Sequence, residues 1–355
     1  MDLGNKLYNI FHNQIVGGSV VLIKNENEIK YNYGYSSLIE KKFVEDETIY
    51  RIASISKAII AMVILKLVED GLLDLDDDIS TILGYKVQNP KYPNVPITTR
   101  MLLHHTSSIT DGLDNDELEK GYNRVNGHHY FVSLEDLLSN QNSKYYTDKT
   151  FSDYAPGEKY IYSNFGAGIL ACIIEKCSNE LFTEYVERWL FKPLEMDASF
   201  KASKIIKKDK ISDAFTNFNT KRTAQEFIES TYPDYPLGNN FRGPAGGLFV
   251  SMQDLSKIMI ALMNDGKYKD VEVLKKETVD KLFNMNIFAS RYYQEKDIWI
   301  KGYTGGAYGI STVMYFSLDK KTGICFAANG GNYKPVSTGL NNIQEQIIDV
   351  LVNEL

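Results

Sequence analysis

Only three of the 355 residues are cysteine: Cys172, Cys177 and Cys325. So sparse and odd a set makes no disulfide framework. Cys172 and Cys177 fall on one apolar run at a spacing that puts them on different faces of a helix, which disfavours a bridge between them. All three read as buried thiols. Long hydrophobic runs are missing as well, and no stretch approaches the roughly 20 apolar residues that a membrane span needs. Positive charge is not in excess. Lys and Arg number 39 against 46 Asp and Glu, a formal net charge of −7, and no basic run is interleaved with aromatics. Nucleic acid is therefore not expected as a partner. Histidine is scarce, and all five (His12, His104, His105, His128, His129) precede residue 130. The adjacent pairs lack zinc-ligand spacing, and neither H-x-H-x-D nor H-E-x-x-H occurs, so no metal or other cofactor is expected. There is no G-x-S-x-G elbow, which argues against the α/β-hydrolase class. The start, Met1-Asp2-Leu3-Gly4, has no basic or apolar leader. As written the chain reads as cytoplasmic; a chain trimmed of a leader would read the same way, which leaves an extracellular place open.

What is present is ordinary for a soluble globular protein, with 43% hydrophobic and 24% charged residues. The length suits two domains or one large composite domain. Leu3, Leu7, Ile10 and Phe11 mark one helix face. Ser19 to Lys24 and Glu28 to Tyr33 read as a hairpin about the turn Asn25-Glu26-Asn27. Ser54 to Gly71 is apolar on nearly every face, as expected of a buried central helix, and Gly71 is a fitting stop. The segment from 110 to 154 is polar and rich in Asn, Asp and Tyr, and reads as a surface excursion. Ser163 to Lys176, Leu181 to Leu190 and a run from Ser251 to near Gly266 read as helices. Asp297 to Tyr303, Thr312 to Ser317 and Ile324 to Ala328 read as strands, followed by an amphipathic helix marked by Ile343, Ile347, Val350 and Leu351. Strands at both ends with helices between predict an α/β (α+β) fold. One antiparallel sheet would be built from both termini, flanked by helices, with a mainly helical insertion and a cleft between the two parts. The expected division is 1–70 with 245–355 for the sheet domain and 71–244 for the insertion.

Three short motifs carry chemistry. In Ser54-Ile55-Ser56-Lys57 the serine stands at the start of the buried helix, where partial positive charge favours an oxyanion. Lys57 lies three residues on, on the same face, and apolar surroundings favour its neutral, proton-accepting form. Such a tetrad alone recurs by chance. Tyr162-Ser163-Asn164 follows the turn Pro156-Gly157-Glu158-Lys159. A phenol beside a cationic amine can act as a base, and an asparagine amide can hold a substrate carbonyl. Tyr303-Thr304-Gly305-Gly306 ends the first C-terminal strand, where glycine lets a substrate pair along the edge. There the backbone N–H of Gly306, with that of Ser54, would form an oxyanion hole.

Together these resemble the three motifs of the penicillin-binding protein and class C β-lactamase family, Ser-x-x-Lys, Tyr-x-Asn and Lys/His-Thr/x-Gly. The resemblance runs through most of the chain. It includes Phe43 to Asp78 around Ser54, and Leu102-Leu103-His104-His105-Thr106-Ser107-Ser108, which is similar to the family's LLTHTSG segment. Pro193-Leu194-Glu195-Met196 and Ala245-Gly246-Gly247-Leu248 with Asp254 resemble two further family segments. The resemblance implies an α/β domain with an inserted helical domain and a serine hydrolase that works through an acyl-enzyme. Ser54, Lys57 and Tyr162 would be catalytic. Asn164, Tyr303, Thr304 and Gly305 would bind substrate.

One departure shapes the expected substrate. The family usually has Lys or His where Tyr303 stands, a cation that attracts the substrate's carboxylate. A phenol brings no charge. Esters or D-amino-acid amides and peptides are therefore expected ahead of β-lactams, with weak β-lactam hydrolysis, a β-lactamase or a D-alanyl-D-alanine carboxypeptidase as alternatives. A non-catalytic sensor or binding module is the remaining alternative. The literal Lys321-Thr322-Gly323 reads as a decoy in the turn between the last two strands. The partner expected is a small-molecule or peptide substrate, and the oligomeric state stays open.

Overall fold

The computed structural model describes residues 2–24, 27–112 and 120–355. Asn25 and Glu26 of the expected hairpin turn, and 113–119 of the polar excursion, lie outside the described residues. Two compact units emerge, 1–58 with 187–231 and 246–355, and 59–186 with 232–245. The first includes the segment 187–231, which the sequence pattern assigns to the insertion. Among the described residues no helix is long and apolar enough to cross a membrane.

The first unit is built on a seven-stranded antiparallel sheet. In spatial order its strands are Ala289–Tyr293, Ile298–Ala307, Ile310–Ser317, Thr322–Ala328, Gly17–Lys24, Asn27–Ser37 and Lys42–Phe43. N- and C-terminal strands meet at the centre, where Val20 pairs with Phe326 and Leu22 with Ile324. The three central strands are buried along nearly their whole length because both faces are covered. Val20, Leu22, Ile324 and Phe326 pack on one face with Leu7 and Phe11 of helix Leu3–Phe11 and with Ile343, Ile347 and Leu351 of helix Asn342–Glu354. Burial of each such side chain is worth about 1.5–3 kcal/mol. The alternate residues face helix Met252–Met263, where the Cys325 sulfur lies 3.7 Å from that of Met259. A smaller core joins Ile205, Ile211, Ala214 and Phe227 of the 187–231 segment to Ile49, Phe249 and Ile310.

The second unit is mainly helical. Its longest complete helix, Asn164–Ser178, is buried along most of its length and ends where Asn179 turns left-handed at φ 56°. Glu175 on this helix is fully buried. Its carboxylate accepts from the Phe182 N–H at 3.1 Å, the Gly238 N–H at 2.7 Å and the Asn240 amide at 3.1 Å. Burial nonetheless pushes its pKa up. The cysteines are free thiols, with Cys172 and Cys325 buried.

Candidate active site

The apolar helix begins later than its pattern predicts. Ala53–Ile55 form a single 3₁₀ turn, and the α-helix runs Ser56–Glu69. Ser54 therefore sits in a tight turn, after a left-handed Ala53 at φ 50°. A non-glycine residue held there costs about 1–3 kcal/mol and persists only where its surroundings fix it. They do. Ile52 and Ser56 flank the turn and both bond Leu248, the Ile52 N–H donating to its carbonyl at 2.9 Å and the Leu248 N–H to Ser56 Oγ at 3.1 Å. The strand Ile49–Arg51 pairs with Phe249–Ser251, and Arg51 Nε donates to the Gly246 carbonyl at 2.8 Å. From the sheet, Thr312 Oγ1 donates to the Ile52 carbonyl at 3.0 Å.

Lys57, one turn along, lies only 6% exposed and donates from Nζ to Ser54 Oγ at 3.2 Å. The expected nucleophile and base are thus within hydrogen-bond reach. The strand Ile298–Ala307 brings the third motif to the same turn. A Cβ on Gly305 would stand 2.4 Å from Thr312 Oγ1, 2.5 Å from the Ile52 carbonyl oxygen and 3.0 Å from the Ser54 nitrogen. The motif's glycine is required by this approach of backbone to backbone. Gln344 holds the strand from behind, donating to the Gly305 and Thr312 carbonyls at 2.9 and 3.3 Å. Gly306 is exposed, and a Cβ there would meet only the Ile310 carbonyl, at 3.8 Å. Tyr303 and Thr304 are half-buried, with the Tyr303 ring edge-on to Phe288 at 6.2 Å.

The strand register separates Lys321-Thr322-Gly323 from this place. Gly305 is level with Thr312 and Ala327, whereas Gly323 is level with Phe316 and Lys301. Four residues of strand, about 13 Å, lie between the two levels. The Lys321 amine is bound to the Met263 carbonyl.

Tyr162 and Asn164 belong to the second unit. Tyr162 is 41% exposed, its ring 4.6 Å from that of His105. Ser163 caps the helix, accepting from the Gly166 N–H at 2.9 Å, and its own N–H donates to His105 Nδ1 at 3.2 Å. Asp111 organises the whole turn. One carboxylate oxygen accepts from Ser163 Oγ at 2.9 Å and the Phe165 N–H at 2.8 Å, and the other from the Asn164 amide at 2.8 Å. An acceptor at the first turn of a helix also complements its dipole. Replacing Asp111 with Ala strands these donors, so a loss of about 2–4 kcal/mol is expected in urea unfolding, with Asp111→Asn intermediate.

Three residues were missed by sequence reasoning. Asp111 stands in a polar stretch without periodicity. Thr312 reads as one more β-branched strand residue. Gln344 alone carried a signal, since Asn341 and Gln344 have capping-box spacing and do form the box.

A family model described as Beta-lactamase matches residues 8–346. Among curated relatives, protein flp of Staphylococcus aureus (strain NCTC 8325 / PS 47) is 26% identical over 325 residues, covering 89% of this chain and 60% of that protein. The chain thus spans 60% of the length of that relative. The octameric penicillin-binding protein homologue from Pyrococcus abyssi superimposes with a TM-score of 0.71 at 22% identity, over 99% of this chain and 78% of the other. D-amino acid amidase from Ochrobactrum anthropi SV3, complexed with D-phenylalanine, gives 0.71 at 19% identity over 99% of each chain. These two likenesses establish the fold.

Proposed function

Because the chain belongs to the β-lactamase family, we propose that it is a serine acyl hydrolase acting on neutral esters or D-amino-acid amides. The observation that carries this is the 3.2 Å contact between Lys57 Nζ and Ser54 Oγ, in a turn fixed by bonds from the sheet. In its neutral form the amine accepts the hydroxyl proton across that contact while Oγ attacks the substrate carbonyl. The Ser54 and Gly306 N–H groups receive the oxyanion. The amine then returns the proton to the leaving group, and water enters by the reverse steps to release the acid. Tyr162 is assigned to the proton relay and Asn164 to the substrate carbonyl, both on the strength of their motif. Thr304 and Gly305 offer a strand edge along which the substrate lies.

Substrate preference follows from Tyr303. A carboxylate beside this phenol gains no ion pair, so acyl donors without a carboxylate are favoured over β-lactams and free peptide C-termini. D-amino-acid amides join the expected class because an amidase of this fold carries that name. Turnover of short esters, D-amino-acid amides and β-lactams by wild type and Tyr303→Lys tests the ranking, read with intact mass after exposure to a fluorophosphonate. Wild type is expected to gain one adduct, at Ser54, and to turn over the substrates that lack a carboxylate faster. The lysine variant is expected to raise β-lactam acylation about tenfold, one charge-assisted hydrogen bond's worth. No adduct and no turnover of any panel member would favour a non-catalytic binding module. An unchanged β-lactam rate in Tyr303→Lys would remove the basis of the substrate ranking.

A further inference from the structure

We propose that Arg242 anchors a ligand site in the helical unit that takes a small carboxylate with an apolar body. This stands apart from the hydrolase reading and survives if that reading fails. Arg242 is 5% exposed. Its Nε donates to the Val125 carbonyl at 3.0 Å. Nη1 and Nη2 are sealed from solvent and have no acceptor among the described residues. The guanidinium carbon lies 4.6 Å from the Phe241 ring centre and 5.3 Å from that of Tyr235. Burial pulls its pKa below the ordinary value, and the phenols of Tyr235, Tyr232, Tyr130 and Tyr122 oppose this.

An arginine cannot shed its proton to escape such a place. The same unit answers its buried Glu175 with three donors. It leaves the buried cation with aromatic faces and one carbonyl. An unpaired buried charge destabilises a fold, so stability does not account for it. Two free coplanar donors match the two oxygens of a carboxylate. Phosphate or sulfate presents more acceptors than these two donors serve. The surrounding rings suit an apolar body.

Benzoate is a suitable probe and benzamide its uncharged counterpart. Calorimetric titration and thermal midpoints would be compared for the full chain as wild type, Ser54→Ala, Arg242→Met and Arg242→Lys. Saturable benzoate binding with a raised midpoint is expected for wild type and Ser54→Ala alike, and none for benzamide. Arg242→Met should abolish it and Arg242→Lys weaken it at least about tenfold. No saturable binding in wild type overturns the proposal. So does undiminished binding in Arg242→Met, or loss in Ser54→Ala, which would put benzoate at the nucleophile. Should Arg242→Met fail to fold, a crystal of wild type grown in saturating benzoate decides. A carboxylate of benzoate across Nη1 and Nη2 supports the site. Water alone, or an acceptor from the chain itself, on both atoms overturns it.

Discussion

Lys57→Met is expected to lower ester turnover by about 10²–10⁴-fold, the usual contribution of a positioned base. Stability should move the other way or not at all. Methionine has nearly the length and volume of the lysine stem, and the variant replaces the polar amine of a 6%-exposed side chain with an apolar group. Replacing a buried charge with a packed apolar group is often neutral or stabilising. Loss of rate without loss of stability therefore separates a base from a structural lysine. Lys57→Arg sharpens the point, because it keeps a cation at this place but cannot be deprotonated under working conditions. If Lys57 serves only as a charge, the arginine variant retains activity. If it serves as a base, arginine fails as methionine does. Ser54→Ala removes the nucleophile and should bring turnover and fluorophosphonate labelling down to background. More than about a tenth of wild-type rate in Lys57→Met would sink the assignment of Lys57, since a base at the low end of its range is worth a hundredfold.

The same two residues show what the sequence could and could not disclose. Their spacing, and the apolar run that follows, were legible because helix periodicity is local. The hairpin and the C-terminal strands were legible for the same reason, through alternation and turn residues. The turn at Ala53–Ile55 was not legible, because it is imposed from outside: Leu248, Thr312 and Gly246 hold it, some 190 to 260 positions away in the chain. Nothing in Arg51-Ile52-Ala53-Ser54 by itself calls for a left-handed alanine. Asp111 is hidden in the same way. Its three donors lie at 163–165, and a carboxylate in a polar stretch looks alike whether it is solvated or caps a distant helix. The 187–231 segment carries short, broken elements, and it joins the sheet unit through scattered apolar residues such as Ile205, Ile211 and Phe227 rather than a periodic stripe. Local pattern yields elements; long-range packing decides which elements share a core.

Gly305→Ala is expected to cost about 1–3 kcal/mol of stability, as overpacking does, and to reduce turnover by about 10²-fold through displacement of the Ser54 turn. The added methyl meets the Thr312 hydroxyl at 2.4 Å and the Ile52 carbonyl oxygen at 2.5 Å. One of these is a side chain that can turn away. The other is backbone, one residue before Ala53 and two before the nucleophile, so relief comes only by moving the turn or the strand. Gln344 resists movement of the strand through its bonds to the Gly305 and Thr312 carbonyls. The turn is the part that gives, and Ser54 moves with it. Gly306→Ala is the matched control. It keeps its backbone N–H, meets only the Ile310 carbonyl at 3.8 Å, and sits in a strand where alanine is preferred to glycine by about 0.5–1 kcal/mol. It should fold as well as wild type, so the stability cost of Gly305→Ala is not one that any methyl on this strand incurs. Removing the Thr312 hydroxyl in the Gly305→Ala background should recover only part of the loss, because the Ile52 carbonyl remains in the way and also loses its donor. Full recovery in that double variant would mean that the side-chain contact alone demands glycine, and that the approach of the strand to the Ser54 turn matters less than the geometry implies. Urea unfolding and ester kinetics on the three variants distinguish these outcomes.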